Sequence, residues 1–285
     1  MDNQAVNPLK KYFRQPKLYL KLPSSGSFYP EGTLIKTENG EYPVFPMTAK
    51  DEITIKTPDA LMNGQATVDV IESCIPNIKS GWAVPTIDID AILIAIRIAT
   101  YGENIDLDVV LPNTDISKSF TADLTTLVDR LVNAVFDAEI KINDDMSAFI
   151  RPLTYKEYTE NSIKALEEQR LYSIINNDQY SDEEKQKRFT ESFKKITDIT
   201  VNTVAQSITK IVTPDGTVTE QQFIREFLEN AEKDFFNKFV IAMTEQKDKF
   251  TMPPFKVQTT EEEQLQGAPK EFDAPIVLDA SNFFG

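Results

Sequence analysis

Four carboxylates are the first residues in this chain whose type and spacing could do chemistry. Asp88 and Asp90 stand two apart, and Asp106 and Asp108 repeat that spacing a short way on. Paired carboxylates can hold a divalent cation through hard oxygen ligands or divide general acid and general base work between them. On that reading the four would serve a metal-dependent hydrolase directed at cell wall. A plainer reading accounts for all of them. Asp88 and Asp90 fall where the start of a helix attracts negative charge, and Asp106 and Asp108 fall on the polar face of an alternating strand. Two other candidates are thinner. Asp215-Gly216 resembles the middle of a calcium loop, but placing Asp215 at the fifth position puts Ile211 at the first and Gln222 at the twelfth, where ligands are required. Ser24-Ser25-Gly26-Ser27 belongs to neither G-x-x-x-x-G-K-[ST] nor G-x-S-x-G and reads as a turn.

Composition narrows the chemistry further. The 285 residues include no histidine, so a Ser-His-Asp triad is impossible and the commonest neutral-pH general base is missing. The single cysteine, Cys74, excludes an internal disulfide and every Cys-rich zinc or iron–sulfur site. The expectation is a protein without catalytic residues, metal or cofactor. Asp+Glu 45 against Lys+Arg 30 gives a net charge of -15, which disfavours a duplex-binding surface, so nucleic acid is not an expected partner. No run approaches 18 apolar residues and Met1 to Arg14 lack a signal-peptide core. Neither membrane insertion nor secretion by a standard route is therefore expected.

Charge and aromatic residues concentrate at the two ends. Residues 1–22 carry five cations against one acid, a balance of +4, and residues 251–285 carry two against six, a balance of −4. The ends could attract each other or opposite neighbours. Lys10-Lys11-Tyr12-Phe13-Arg14 combines cations with aromatics: the two rings either pack onto the neighbouring strands or enter an acidic protein groove, and on the second reading Tyr12 and Phe13 are candidate partner-binding residues. Phe283 and Phe284 are the stronger pair. They close an apolar terminus that follows an acidic tether of about 15 residues, and large aromatics are costly to leave in water. Such a tail either folds back onto its own domain or enters another subunit.

The elements that must position these residues follow from periodicity. Leu18, Leu20 and Leu22 alternate as in a strand, and Asn39-Gly40 between Thr33-Leu34-Ile35-Lys36 and Tyr42-Pro43-Val44-Phe45 predicts a hairpin, giving a small β-meander. Thr48 with Asp51 and Glu52 predicts a capped helix start, and further helices are expected over Thr67 to Ile75 and Ala91 to Tyr101, the latter stopped by Gly102. Ile105 to Leu111 and Ser119 to Leu124 predict one hairpin, and Phe136 to Ile142 with Met146 to Ile150 a second. Long polar helices are expected over Thr154 to Asn176, Ser181 to Val212 and Thr219 to Lys249, separated by Asn176-Asn177-Asp178 and Thr213-Pro214-Asp215-Gly216. Gln258 to Ala274 reads as acidic linker. The fold class is α+β: a domain over 1–152, a helical bundle or arm over 153–252, and linker plus apolar tail over 253–285.

Several strings resemble the baseplate hub family of contractile-tailed bacteriophages of the T-even type. They are Tyr12-Phe13-Arg14-Gln15-Pro16-Lys17-Leu18-Tyr19-Leu20-Lys21-Leu22-Pro23-Ser24-Ser25-Gly26, Phe28-Tyr29-Pro30-Glu31-Gly32 and Pro46-Met47-Thr48-Ala49-Lys50-Asp51-Glu52. The likeness is strongest in Lys56-Thr57-Pro58-Asp59-Ala60-Leu61-Met62-Asn63-Gly64, then in Ser73-Cys74-Ile75-Pro76 and from Asp88 to Gly102. The resemblance covers about the first third of the chain. It implies a non-enzymatic tail protein, either a structural subunit of the baseplate's central hub or a factor needed to assemble it. The implied partners are hub proteins or the tape-measure protein. The implied places are the host cytoplasm during assembly and the virion baseplate.

Overall fold

A computed structural model of the protein describes residues 7–57, 64–175, 181–274 and 283–284. The string from Pro58 to Asn63, the turn at Asn176-Asn177-Asp178 and the stretch 275–282 lie outside the described residues. The architecture is α+β, built around two hydrophobic cores.

The first core forms around a helix that is apolar almost all round. α3 (Thr86–Tyr101) follows α1 (Ala49–Ile55) and α2 (Gln65–Cys74), and it buries Ile92, Ile94, Ala95 and Ile96 to full exclusion of solvent. Each such isoleucine is worth roughly 1.5–3 kcal/mol of transfer free energy, which fixes this helix at the centre. Gly102 ends it with φ 97, a backbone conformation other residues rarely adopt. Thr48 caps α1 through the predicted box with Asp51. Over the helices lies an antiparallel ribbon of β1 (Leu18–Lys21) and β2 (Glu41–Val44), in register Leu18↔Val44 through Lys21↔Glu41. The hairpin expected across Asn39-Gly40 is corrected by this pairing. The segment before that turn pairs instead with residues near Ile78, through an isolated Leu34↔Ile78 bridge and hydrogen bonds from Ile35 N to Asn77 O and from Lys79 N to Thr33 O. Pro43 is tolerated in β2 because a two-stranded ribbon has free edges. β3 (Asn104–Val110) and β4 (Ser117–Asp123) form the next predicted hairpin, and α4 (Leu124–Val132) adds Leu124, Leu127 and Leu131 to the first core.

The second core gathers residues from far apart in sequence. β5 (Glu139–Lys141) and β6 (Ser147–Ile150) make the predicted second hairpin, but β6 also pairs with β7 (Ile208–Thr213), which pairs with β8 (Gly216–Val218). The sheet therefore takes strands from both sides of residue 152, and the boundary expected there cuts through it. Between those strands run α5 (Tyr155–Ile175) and α6 (Asp182–Ser207), an antiparallel hairpin with a polar seam. Asn161 Nδ2 donates to Thr203 Oγ1 at 3.1 Å and to Gln206 Oε1 at 3.0 Å, and Lys195 Nζ meets Glu168 Oε1 at 3.0 Å. The helix expected to reach Val212 stops at Ser207. The β-branched run Ile208-Thr209-Lys210-Ile211-Val212-Thr213 becomes strand because β6 offers it a ladder and a buried face, with Ile208 fully excluded from solvent. The single helix expected over Thr219 to Lys249 is two, α7 (Gln221–Asn230) and α8 (Lys233–Lys249). The break lets Ile224 and Leu228 from one and Phe239 from the other enter the same core.

The expected acidic linker is also ordered. β9 (Phe255–Gln258) and β10 (Glu271–Ala274) pair antiparallel around the one-turn helix α9 (Glu261–Leu265), and Phe255 packs 6.3 Å from Phe120.

Candidate docking surfaces and the networks that mount them

Two partly or wholly buried polar networks organise the N-terminal half. The first is centred on Arg14. Its Nη1 donates to Pro46 O at 2.5 Å and to Asp51 Oδ2 at 3.2 Å, and its Nη2 donates to Ser73 O at 2.7 Å and Ser73 Oγ at 2.8 Å. Ser73 Oγ closes the ring by donating to Asp51 Oδ2 at 3.0 Å, and the guanidinium lies 5.9 Å from the Phe45 ring centre. A planar, forked, permanently charged group is what such a divergent set of acceptors needs. Asp51 thus does two things, capping α1 and holding Arg14. Cys74 borders this network. Burial pushes its thiol up to about 12, with Asp51 adding to the rise, so it behaves as a core side chain rather than a nucleophile.

The second network is centred on Asp88, which is fully buried in the first turn of α3. Its carboxylate accepts from Ser24 N at 2.7 Å, Ser24 Oγ at 2.6 Å and Tyr29 OH at 3.0 Å. Burial raises its pKa from 3.8 to about 6, and the three donors partly offset that rise. Burial and the adjacent Asp88 push the Tyr29 hydroxyl far up as well. The carboxylate sets the course of the loop between Leu22 and Pro30, in which Ser25 and Phe28 adopt positive φ of 52° and 66°. Phe28 then meets Phe136 at 5.3 Å, and Phe136 meets Phe250 at 6.2 Å, so this loop joins the first core to the second.

The four aspartates singled out by spacing do not form one site. Asp88 is engaged as described, and Asp90 accepts from Met252 N at 3.3 Å. Asp106 accepts from Thr121 Oγ1 at 2.6 Å, and Asp108 accepts a short hydrogen bond from Ser119 Oγ, both across the β3–β4 ribbon. Among the described residues no group of three or more histidine, cysteine, aspartate or glutamate side chains is placed to hold a metal ion. Ser24, read as part of a plain turn, proves to be the partner of a buried carboxylate.

A protein-family profile described as "T4 bacteriophage base plate protein" matches residues 16–272. The chain belongs to that family. No curated protein and no solved structure matches it. Membership assigns a structural or assembly role in the phage tail, in association with other baseplate proteins and at the tail baseplate. Among the described residues no helix is long and apolar enough to cross a membrane.

For this baseplate protein, the family-like strings and the two networks coincide. Arg14, Pro46, Asp51, Ser73 and Cys74 come from three of those strings; Ser24 shares the string of Arg14, and Tyr29 and Asp88 come from two others. Arg14 lies just before the matched span and all its partners lie inside it. Spacing arguments missed Arg14, Ser73 and Tyr29, because hydrogen bonds across 59 residues leave no local pattern.

The terminal aromatics go to opposite places. Tyr12 and Phe13 are 73% and 56% exposed, at the end of a 3-10 turn over Pro8–Tyr12. Phe283 and Phe284 are buried in the first core of their own chain, edge to face at 5.1 Å, with Tyr101 OH donating to Phe284 O at 2.9 Å. In this arrangement they are intramolecular anchors, and their faces are not open to a partner.

Proposed function

We propose that this baseplate protein acts without catalysis in building the central hub of the baseplate, by binding other hub proteins or the tape-measure protein. It would do so as a structural subunit or as an assembly factor. One observation carries the reading. The N-terminal turn is mounted on the body by Arg14 yet presents Tyr12 and Phe13 to solvent, as a docking element should. Family membership supports the setting, and the hub-like strings of the first third support the hub within it. Tyr12 and Phe13 are the partner-facing residues in this reading, and Phe283 and Phe284 the anchors that hold the end of the chain to its own core.

The test is co-expression with the neighbouring tail proteins, followed by pull-down and mass spectrometry, beside a protein census of mature DNA-filled particles. Capture of hub or tape-measure proteins that is lost on Tyr12→Ala with Phe13→Ala supports the reading. Presence in particles at fixed small copy number assigns a structural subunit, and absence with capture retained assigns an assembly factor. Capture of outer baseplate proteins alone refutes the hub assignment.

A further inference from the structure

The N-terminal turn is folded and fastened, yet none of its residues from Pro8 to Tyr12 is buried. Asn7 caps it by accepting from Leu9 N at 2.9 Å, and Lys11 lies 4.9 Å over the Tyr12 ring. Leu9, Tyr12 and Phe13 are all more than half exposed. Lys10, Lys11 and Lys17 are exposed too, and among the described residues no carboxylate forms an ion pair with any of them. This is a basic and apolar surface on a chain that is otherwise strongly acidic: removing the +4 of residues 1–22 from a total of -15 leaves −19.

The opposite character appears at the far end. α9 exposes Glu261 and Glu262, which pair with no cation among the described residues, whereas Glu263 is taken by Lys118 at 2.9 Å. Beside them Leu265 is 88% exposed, more than any other large hydrophobic side chain among the described residues. Among the described residues no ion pair joins the two ends within one chain. The acidic turn is fastened to β4 through Lys118, and the basic turn to α1 and α2 through Arg14.

We propose that the N-terminal turn of one copy docks on the α9 turn of a second copy, Lys10 and Lys11 meeting Glu261 and Glu262 while Tyr12 and Phe13 cover Leu265. This rests on the preceding reading in using Tyr12 and Phe13 as partner-facing residues. Two different patches make the contact, so it is heterologous, and successive copies run head to tail into a closed ring or an open filament. Because the cations and carboxylates lie at the surface, the contact is screened by salt.

Sedimentation velocity on the full chain tests this at about 50 mM and about 500 mM salt, either side of physiological screening. The expected result is self-association at low salt that weakens about tenfold or more at high salt. Lys10→Glu with Lys11→Glu should be monomeric, as should Glu261→Lys with Glu262→Lys. An equimolar mixture of these two double variants should associate again, since each then offers the other a complementary patch at both contacts. Leu265→Ser should weaken wild-type association with the melting temperature unchanged. A wild-type chain that stays monomeric at low salt, or a mixture that fails to associate, overturns the proposal. If the chain is monomeric but Tyr12→Ala with Phe13→Ala still abolishes capture of hub proteins, the self-docking falls and the hub reading stands. Self-association without capture of hub proteins leaves the self-docking standing and overturns the hub reading.

Discussion

Replacing Asp88 by asparagine changes one atom type in the buried network and removes its titration. In the unfolded chain this carboxyl titrates near 3.8, and in the folded protein near 6. Between those values the native state holds a proton that the unfolded state has released, so stability falls as pH rises across the window. The contribution is fully present below about pH 4 and is lost once pH has risen through about 6. At about 1.4 kcal/mol per pH unit, the span is worth about 3 kcal/mol. The substituted amide keeps an oxygen for Ser24 N and can donate to the Ser24 and Tyr29 hydroxyls, so the fold should survive the exchange. Urea unfolding of wild type and Asp88→Asn from pH 4 to pH 7.5 isolates the effect, because every other titrating group is common to both. The stability difference should shift in favour of the variant by about 3 kcal/mol as pH rises, with the change centred between 4 and 6. Parallel curves would refute the claim that a buried, cation-free carboxylate holds the 22–30 loop. Asp88→Ala is the companion measurement. It strands the Ser24 amide and two hydroxyls, and should cost about 2–5 kcal/mol at pH 4, where the wild-type carboxyl contributes fully.

Arg14→Ala should lower stability by about 2–3 kcal/mol in the same assay, and Arg14→Lys should recover little of it, since an ammonium cannot serve Pro46, Asp51 and Ser73 together. Limited proteolysis of Arg14→Ala should cleave within residues 8–13 at a rate well above wild type. Phe283→Ala, by emptying a site in the first core, should cost about 3–5 kcal/mol by chemical denaturation. Removal of residues 275–285 should lower the melting temperature at least as much, and an unchanged melt would show that the anchor contributes nothing to the fold. Gly81→Ala should destabilise by about 1–3 kcal/mol, because a Cβ there would stand 3.1 Å from the Val68 carbonyl oxygen, so that the backbone of α2 must shift to admit it.

What the amino-acid order determined by itself is everything settled within about a dozen residues. The Thr48 box, the stop at Gly102, the apolar girth of α3, the β3–β4 ribbon and the β5–β6 hairpin rest on local periodicity, caps and turns, whose partners sit next door in the chain. The absence of histidine and the scarcity of cysteine were equally legible, since they are counts. The N-terminal cations and aromatics could be named as a candidate surface, but their exposure could not. Tertiary structure alone decided the rest. Ile208–Thr213 continues the helical spacing of α6 and turns to strand only because β6, some sixty residues earlier, supplies its ladder. Phe255–Gln258 and Glu271–Ala274 look like acidic linker until they pair with each other and lay Phe255 against Phe120. Ser24 reads as a turn residue and Asp88 as a helix-start acid. Their meeting in a buried site is a property of distance in space, which raises the acid's pKa and fixes the loop. Phe283 and Phe284 were bound to be buried somewhere by their size, and the sequence could not say in which chain. The core around α3 had room for them and Tyr101 had a hydroxyl for the Phe284 carbonyl, and that placed both rings inside their own chain.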